Sequence, residues 1–391
     1  MRFALVSIAS IIVLHSKASS FTVGPSNSLV RNKAIQLGMS STVTPSTGNV
    51  GAVGSKLTDM ELALEALGKF FDKTDDVQIT PTSGGVNNIV QYITLPSGER
   101  ELLRIYNNGC NAQRVRFEHE ILRQLNQLPL SFGVPNFIKS MEGSTMVRLS
   151  NGADACMCKL IPGKLPKLSC FEDIGRASGE LNTAMASLKV DPSMCNTAPY
   201  WKIWDVHHAV NRENFEAEMR GPNFAGDLKD VAERMLKATL DIVEKCEGQY
   251  QSLPIQLIHG DLHYDNVLVQ DGQVTALLDY EFSSFDWRAM ELAICLSKYA
   301  GEENGKEYFE QFIKGYAKTG KLTKVEAEAI PDLINLRILS NVVYFVGRHL
   351  AGEDDISSLT TRISNYERRV NWIRDHSKFI IDNIIEKMGL E

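Results

Sequence analysis

From Asp59 to Phe71 the chain sets Met60, Leu62, Leu64, Leu67, Phe70 and Phe71 among Ala, Glu and Gly, a spacing and composition that predict a helix. The period then changes. The stretch VQITPTSGGVNNIVQYITLPSGERELLRIY breaks into short strand-like runs separated by SGGVNN and PSGE, so it predicts strands joined by turns. NAQRVRFEHEILRQLNQL returns to helical spacing, with Phe117, Ile121, Leu125 and Leu128 on one stripe. At 100° per residue Glu118 falls about 40° from the middle of that stripe, whereas Glu120 falls well outside it. Glu118 is therefore expected to face the sheet, and an acid placed there needs a cation. Arg104, in ELLRIY on the preceding strand, is the natural partner; an ordinary structural ion pair is the plainer role for the two. STMVRLSNGADACMCKLIPGKLP adds two strand-like runs and stops at Pro162-Gly163. Beyond about residue 170 the periodicity is helical, through FEDIGRASGELNTAMASL, DLKDVAERMLKATLDIVEKC and PDLINLRILSNVVYFVGRHL. The last carries Ile334, Ile338, Val342, Phe345 and Val346 on one face. The pattern predicts an α+β protein of two lobes, a small β-rich one over 59–161 and a larger helical one over 162–391.

Composition changes the picture mainly at the N-terminus. The first acid is Asp59, and the 58 residues before it carry Arg2, Lys17, Arg31, Lys33 and Lys56, a net of +5. The rest holds 36 basic against 48 acidic residues, a net of −12. An acidic folded part argues against nucleic acid or an anionic membrane surface as partner, since both select a basic face. Arg2 followed by ALVSIASIIVL and then HSKASSF has the order of a secretory signal peptide over 1–20, short for a membrane span. Residues 21–58, rich in Ser, Thr, Asn and Gly and free of acids, have transit-peptide composition. The two together, joined at ASSF, resemble a bipartite plastid presequence, with a simple secreted protein as the alternative and no stable membrane insertion once the leader is removed. Seven cysteines at irregular spacing, none in a CxxC pair, read as reduced thiols.

The densest chemistry lies in LIHGDLHYDNVLV, residues 257–269, followed by QDGQVTALLDYE. Two β-type runs flank Asp271-Gly272, a strong signal for a two-residue hairpin. Such a hairpin returns Asp279 to the neighbourhood of Asn266, so Asp261, Asn266 and Asp279 converge. An Asn and an Asp supply the hard oxygen ligands that Mg²⁺ prefers. An Asp five residues before the Asn can take a proton from an attacking hydroxyl. This is the arrangement used for phosphoryl transfer, which needs positioning and charge neutralisation more than covalent chemistry. Zinc held by His259 and His263, four apart, is disfavoured because Gly260 and the strand-like run before it argue against a helix, and no third soft ligand is near. His259 reads as a packed loop histidine.

These residues resemble the aminoglycoside phosphotransferase/choline kinase superfamily, whose fold is like that of protein kinases. The resemblance covers roughly residues 75–380. It implies that Asp261 is the catalytic base, that Asn266 and Asp279 hold Mg²⁺, and that Arg104, fixed by Glu118, touches ATP phosphates. SGGVNN matches the shortened glycine loop over the phosphates, implicating Ser83, Gly84, Gly85 and Asn88. KLIPG matches the hinge, whose backbone at Lys159, Leu160 and Ile161 would meet adenine. Arg at 104 departs from the Lys of many kinases, and its fork demands a different geometry from a point charge; choline kinases share it. The order of elements after ELAICLSKYAG resembles the protein-kinase-fold homoserine kinases. LDYEFSSFDWRAMELA resembles choline and ethanolamine kinases, which implies a small acceptor bearing an amine or quaternary ammonium. Glu281, Asp286 and His263 are the candidate acceptor residues, with Phe282, Phe285 and Trp287 nearby; Glu291 reads as a structural ion-pair acid. A catalytically inactive nucleotide-binding adaptor and a protein kinase are the alternatives. The first is opposed by the joint presence of Asp261, Asn266 and Asp279. The second is opposed by Gly260 where protein kinases usually have Arg, and by DYE in place of DFG.

Overall fold

The computed structural model describes residues 57–74, 76–82, 88–106 and 111–391. The expected presequence lies outside these residues apart from Leu57 and Thr58, and so do Ser83, Gly84 and Gly85 of the glycine turn. Thr58 already belongs to the fold. Its hydroxyl accepts the Glu61 N–H while the Glu61 carboxylate accepts the Thr58 N–H at 2.6 Å, a capping box that starts helix α1 (Asp59–Phe70).

The strands β1 (Gln78–Pro81), β2 (Ile89–Thr94) and β3 (Arg100–Ile105) form an antiparallel meander. After helix α2 (Ala112–Leu125), β4 (Phe137–Ile138), β5 (Val147–Arg148) and β6 (Asp154–Lys159) complete one antiparallel sheet in which β6 lies between β3 and β4. Period-two alternation divides the sheet's labour. Ile93, Leu103, Ile105 and Met157 point to one face and pack against Leu62, Ala63, Ala66, Leu67 and Phe70 of α1. Met60 and Leu64 stay exposed, because the alanines, which let the helix approach closely, form the packing face. The other face presents Val90, Leu102, Arg104 and Cys158 to the cleft between the lobes.

The larger lobe contains α3 (Phe171–Met185), α4 (Arg212–Met219), α5 (Lys229–Gly248), the short strands β7 (Ile255–Ile258), β8 (Val267–Gln270), β9 (Gln273–Leu277) and β10 (Ser284–Trp287), then α6 (Arg288–Ser297), α7 (Gly305–Tyr316), α8 (Lys324–Leu350), α9 (Ser357–Thr360), α10 (Ile363–Asp375) and α11 (Ser377–Met388). Helix α8 begins at Lys324, seven residues ahead of the Pro331 that the pattern suggested as its start, behind a second capping box of Thr323 and Glu326. It is long and apolar enough to cross a membrane by length and hydropathy, but 78% of its apolar window is buried inside the fold, so core packing accounts for that character. The stripe of α2 also differs from expectation. Phe117, Ile121 and Leu125 do not cover the sheet; they join the core of the helical lobe together with Phe171, Leu181 and Tyr280. Six cysteines among the described residues are free thiols; Cys110 lies outside them.

Candidate active site

The hairpin folds as its turn residues demand. Asp271 and Gly272 both have positive φ, +52° and +82°, the left-handed pair that a two-residue turn requires. Val267 pairs with Leu277, and the Leu278 N–H donates to the Asn266 carbonyl at 2.9 Å, which sets Asp279 beside Asn266. Asp279 itself sits at φ +70°, a left-handed conformation that costs a non-glycine residue about 1–3 kcal/mol and clusters at functional sites.

The loop before the hairpin is held by its own side chains. Asn266 Nδ2 donates to the Asp261 carbonyl at 2.8 Å. His259 donates from Nε2 to the Leu278 carbonyl at 2.9 Å and accepts the Asp261 N–H at Nδ1. Both ring nitrogens are thus used, which removes His259 from any zinc site, and burial lowers its pKa to about 4, so the ring is neutral. Glu291, fully buried on α6, accepts the His259 N–H at 2.6 Å and the Gly260 N–H at 3.4 Å. It therefore anchors backbone and forms none of the expected ion pairs; burial pushes its pKa up to about 7. Gly260, at φ +82°, has the Phe282 carbonyl 2.3 Å from where a Cβ would stand, so no side chain fits between loop and hairpin there.

Asp261 is held from two sides that lie far apart in sequence. Arg337 Nη2 of α8 meets Oδ1 at 2.8 Å, and His263 Nε2 stands 3.7 Å from Oδ2. Burial would raise the Asp261 pKa, but His263, Arg337 and Lys298 outweigh it and hold the carboxyl well below the usual range, so it is ionised. Tyr200 closes the loop from outside, its hydroxyl donating to the Gly260 carbonyl at 2.9 Å and its ring lying under the Arg337 guanidinium. Sequence reasoning missed Arg337, Tyr200 and Lys298. Nothing local signals them, because each reaches the loop from another element.

On the sheet side Arg104 pairs with Glu118 at 3.0 Å, as expected from the helical phase of α2. It also meets Glu281 at 2.9 Å and Asp279 at 3.6 Å. Glu281, expected at the acceptor, is thus engaged towards the nucleotide side, where Asn88 Nδ2 also reaches it at 3.5 Å. Asp286 is likewise displaced from its expected place. It is fully buried on β10, and its carboxylate oxygens accept the Tyr200 and Trp287 N–H groups, each at 2.6 Å. Burial raises its pKa to about 7. His263 is not a loop residue facing solvent or acceptor but is 2% exposed, wedged between Asp261 and Asp265. Trp287 is core and stacks on Trp201.

Between sheet and hairpin lies a narrow cleft. Val90, Leu102, Ile161 and Leu278 make its apolar walls, and Arg104 and Asp279 close the polar end. Lys159 ends β6, and Leu160 and Ile161 pack on Leu268, Ala276 and Leu278 of the hairpin, so the link between the lobes forms the rim. A slot with apolar walls and one charged end suits a planar base with a phosphate tail. At the charged end, burial and the neighbouring Glu281, Asp261 and Glu118 raise the Asp279 pKa despite Arg104. This crowding of carboxylates, with the Asn266 amide beside it, is an oxygen donor set whose repulsion a hard divalent cation would relieve, so the residues fit Mg²⁺.

A β-sheet lobe over a helical lobe, with an ionised Asp261, the Asn266–Asp279 pair and Arg104 gathered at the junction, is the arrangement of a nucleotide-dependent phosphotransferase of protein-kinase-like fold. The chain belongs to the phosphotransferase enzyme family (APH), whose sequence profile matches residues 78–327, and it is a small-molecule kinase. A homoserine kinase of Sinorhizobium fredii is 25% identical over 239 residues, 59% of this chain and 68% of its own length. One of Phenylobacterium zucineum is 23% identical over 293 residues, 72% of this chain and 83% of its own. Among solved structures, a microcompartment-associated aminopropanol kinase superposes with a TM-score of 0.65 at 17% identity, covering 82% of this chain and 98% of that one. An ethanolamine kinase of Plasmodium vivax gives 0.54 at 13%, covering 82% and 86%. An amicoumacin kinase solved with AMP-PNP gives 0.59 at 17%, covering 83% and 94%. At these identities the structural likenesses establish the fold.

Proposed function

We propose that this enzyme transfers the γ-phosphoryl group of ATP to the hydroxyl of a small amino alcohol, with L-homoserine the first candidate and Mg²⁺ as the metal. The observation that carries the reading is the ionised Asp261 set beside Asn266 and Asp279 at the charged end of an apolar-walled cleft. The homoserine kinases among the relatives support the choice of candidate. Asp261 Oδ1 is occupied by Arg337, which leaves Oδ2 to accept the hydrogen bond of the acceptor hydroxyl. A carboxylate with so low a pKa is a weak base. It aims the oxygen at phosphorus and takes the proton as the new P–O bond forms, which suits a loose transition state. Asn266 and Asp279 would hold Mg²⁺, which when bound neutralises phosphate charge. Arg104, braced by Glu118 and Glu281, lines the cleft beside Asp279 and would supply positive charge to the phosphates there.

The test is ADP release with ATP, Mg²⁺ and L-homoserine, choline or ethanolamine. Asp261→Asn should bind Mg-ATP within about threefold of wild type while kcat drops by about 10²–10⁴. Near-normal turnover in Asp261→Asn would show that Asp261 neither orients nor deprotonates the acceptor hydroxyl.

A further inference from the structure

The Arg104–Glu118 pair has a third, buried member. Tyr106, just past the end of β3, follows Arg104 by two, so strand alternation sets both on one face of the sheet. Cys156, directly opposite Arg104 on β6, shares that face. Tyr106 is 3% exposed and is not among the walls of the nucleotide cleft. Its ring centre lies 4.7 Å from the Arg104 guanidinium carbon, and its hydroxyl donates to Glu118 Oε2 at 3.2 Å. Glu118 Oε1 is the atom that meets Arg104 Nη1. One side chain thus touches both halves of the pair, the cation by its ring face and the acid by its hydroxyl.

Behind Tyr106 the hydrogen bonds continue. His119, one residue on from Glu118, has Nε2 3.4 Å from the Tyr106 hydroxyl and Nδ1 2.8 Å from Thr145 Oγ1, and Cys156 Sγ donates to the same hydroxyl at 3.5 Å. Burial lowers the His119 pKa to about 3, so the ring carries a single N–H. One arrangement uses every group while leaving the Tyr106 proton on Glu118: His119 Nε2–H donates to the tyrosine oxygen, and Nδ1 accepts from Thr145. We propose that Tyr106 is a positioning residue for nucleotide binding, its hydroxyl fixing Glu118 so that the Arg104 guanidinium stays at the phosphate end of the cleft, with His119 aiming that hydroxyl. This rests on the phosphotransfer reading above and adds to it a group that touches neither nucleotide nor acceptor. Arg104 is also claimed by Glu281 at 2.9 Å. Without the Tyr106 hydroxyl, Glu118 keeps only one of its two anchors, and the guanidinium is free to shift towards Glu281 and away from the phosphates.

ATP and adenosine share the base and sugar and differ in the phosphates, so the ratio of their dissociation constants, measured with Mg²⁺ on the full chain, reports the grip on the phosphate tail. Wild type should bind ATP at least roughly tenfold more tightly than adenosine. Tyr106→Phe removes only the hydroxyl and should lower that ratio about fivefold, with adenosine affinity within about twofold of wild type. In a Glu118→Gln background the same change should cost less than about twofold, because the two residues act through one contact. His119→Leu, which leaves Tyr106 and Glu118 in place, keeps the test open should Tyr106→Phe fail to fold, and its ratio should fall about threefold. An unchanged ratio in both single variants would overturn the proposal and leave the phosphotransfer reading intact. So would equal weakening of ATP and adenosine, which marks a general packing role, or an undiminished loss in the Glu118→Gln background, which shows that Tyr106 does not act through Glu118. Wild type binding ATP no more tightly than adenosine would overturn the phosphate role of Arg104 in the phosphotransfer reading, and the role of Tyr106 with it.

Discussion

Replacing Gly260 by alanine tests whether the catalytic loop depends on its close approach to the hairpin. The new Cβ would stand 2.3 Å from the Phe282 carbonyl oxygen and 3.1 Å from its carbon, and both are backbone atoms that cannot rotate away. Ordinary contact begins near 3.4 Å, so loop and hairpin must part by roughly 1 Å, a displacement that can cost about 100-fold in rate when it misaligns reacting groups. The left-handed conformation at φ +82° adds about 1–2 kcal/mol for any residue with a Cβ. With the steric term the loss of stability should reach about 2–4 kcal/mol. Val90, Leu102 and Arg104 of the cleft lie on the sheet and only Leu278 and Asp279 adjoin this contact, so ATP affinity should fall much less than kcat. Urea unfolding, equilibrium Mg-ATP binding and steady-state kcat on the same preparation separate the three effects. A variant with kcat within about twofold of wild type would refute the claim that this contact sets the position of Asp261.

Other perturbations give readings of their own. Arg104→Gln strands Glu118 and Glu281 without their cation and should weaken ATP binding at least about tenfold, measured by isothermal titration. Asp279→Ala should weaken Mg-ATP more than it weakens ATP measured in EDTA; equal losses would place the metal elsewhere. Glu291, whose folded pKa near 7 exceeds its ordinary 4.5, holds a proton in the fold that the unfolded chain releases. Its contribution is present below about pH 4.5 and is lost as pH rises to about 7. Glu291→Gln should therefore flatten the fall in unfolding free energy between pH 5 and 8 by about 3 kcal/mol, at about 1.4 kcal/mol per unit. An unchanged slope by denaturant titration at several pH values would contradict this.

The parts of the site legible in the sequence are those fixed by local geometry. Asp271-Gly272 could be read as a turn because its φ values leave few other choices, and the turn brings Asn266 and Asp279 together. Glu118 could be read from helical phase, and Arg104 followed from charge balance. What could not be read was which partner claims a carboxylate once the chain has folded. Glu281 looks free in LDYEFSSFDW, yet Arg104 meets it from 177 residues upstream. Asp286 looks exposed, yet its neighbours on β10 and the Tyr200 backbone bury it. Arg337 sits in a helix whose apolar run reads as core, 76 residues from the carboxylate it holds. The stripe on α2 was visible but its destination was not, because periodicity reports that a face is buried and not what buries it.

That destination has a mechanical meaning. With Phe117, Ile121 and Leu125 rooted among the helices, α2 is seated in the larger lobe, while Val115 and His119 on its other side pack on Tyr106, Cys156 and Phe137 of the sheet. The helix is therefore a rivet through both bodies, and the Arg104–Glu118 bond lies where the rivet meets the sheet. The position of the Arg104 guanidinium is thus tied to how firmly one helix is seated on both of its sides.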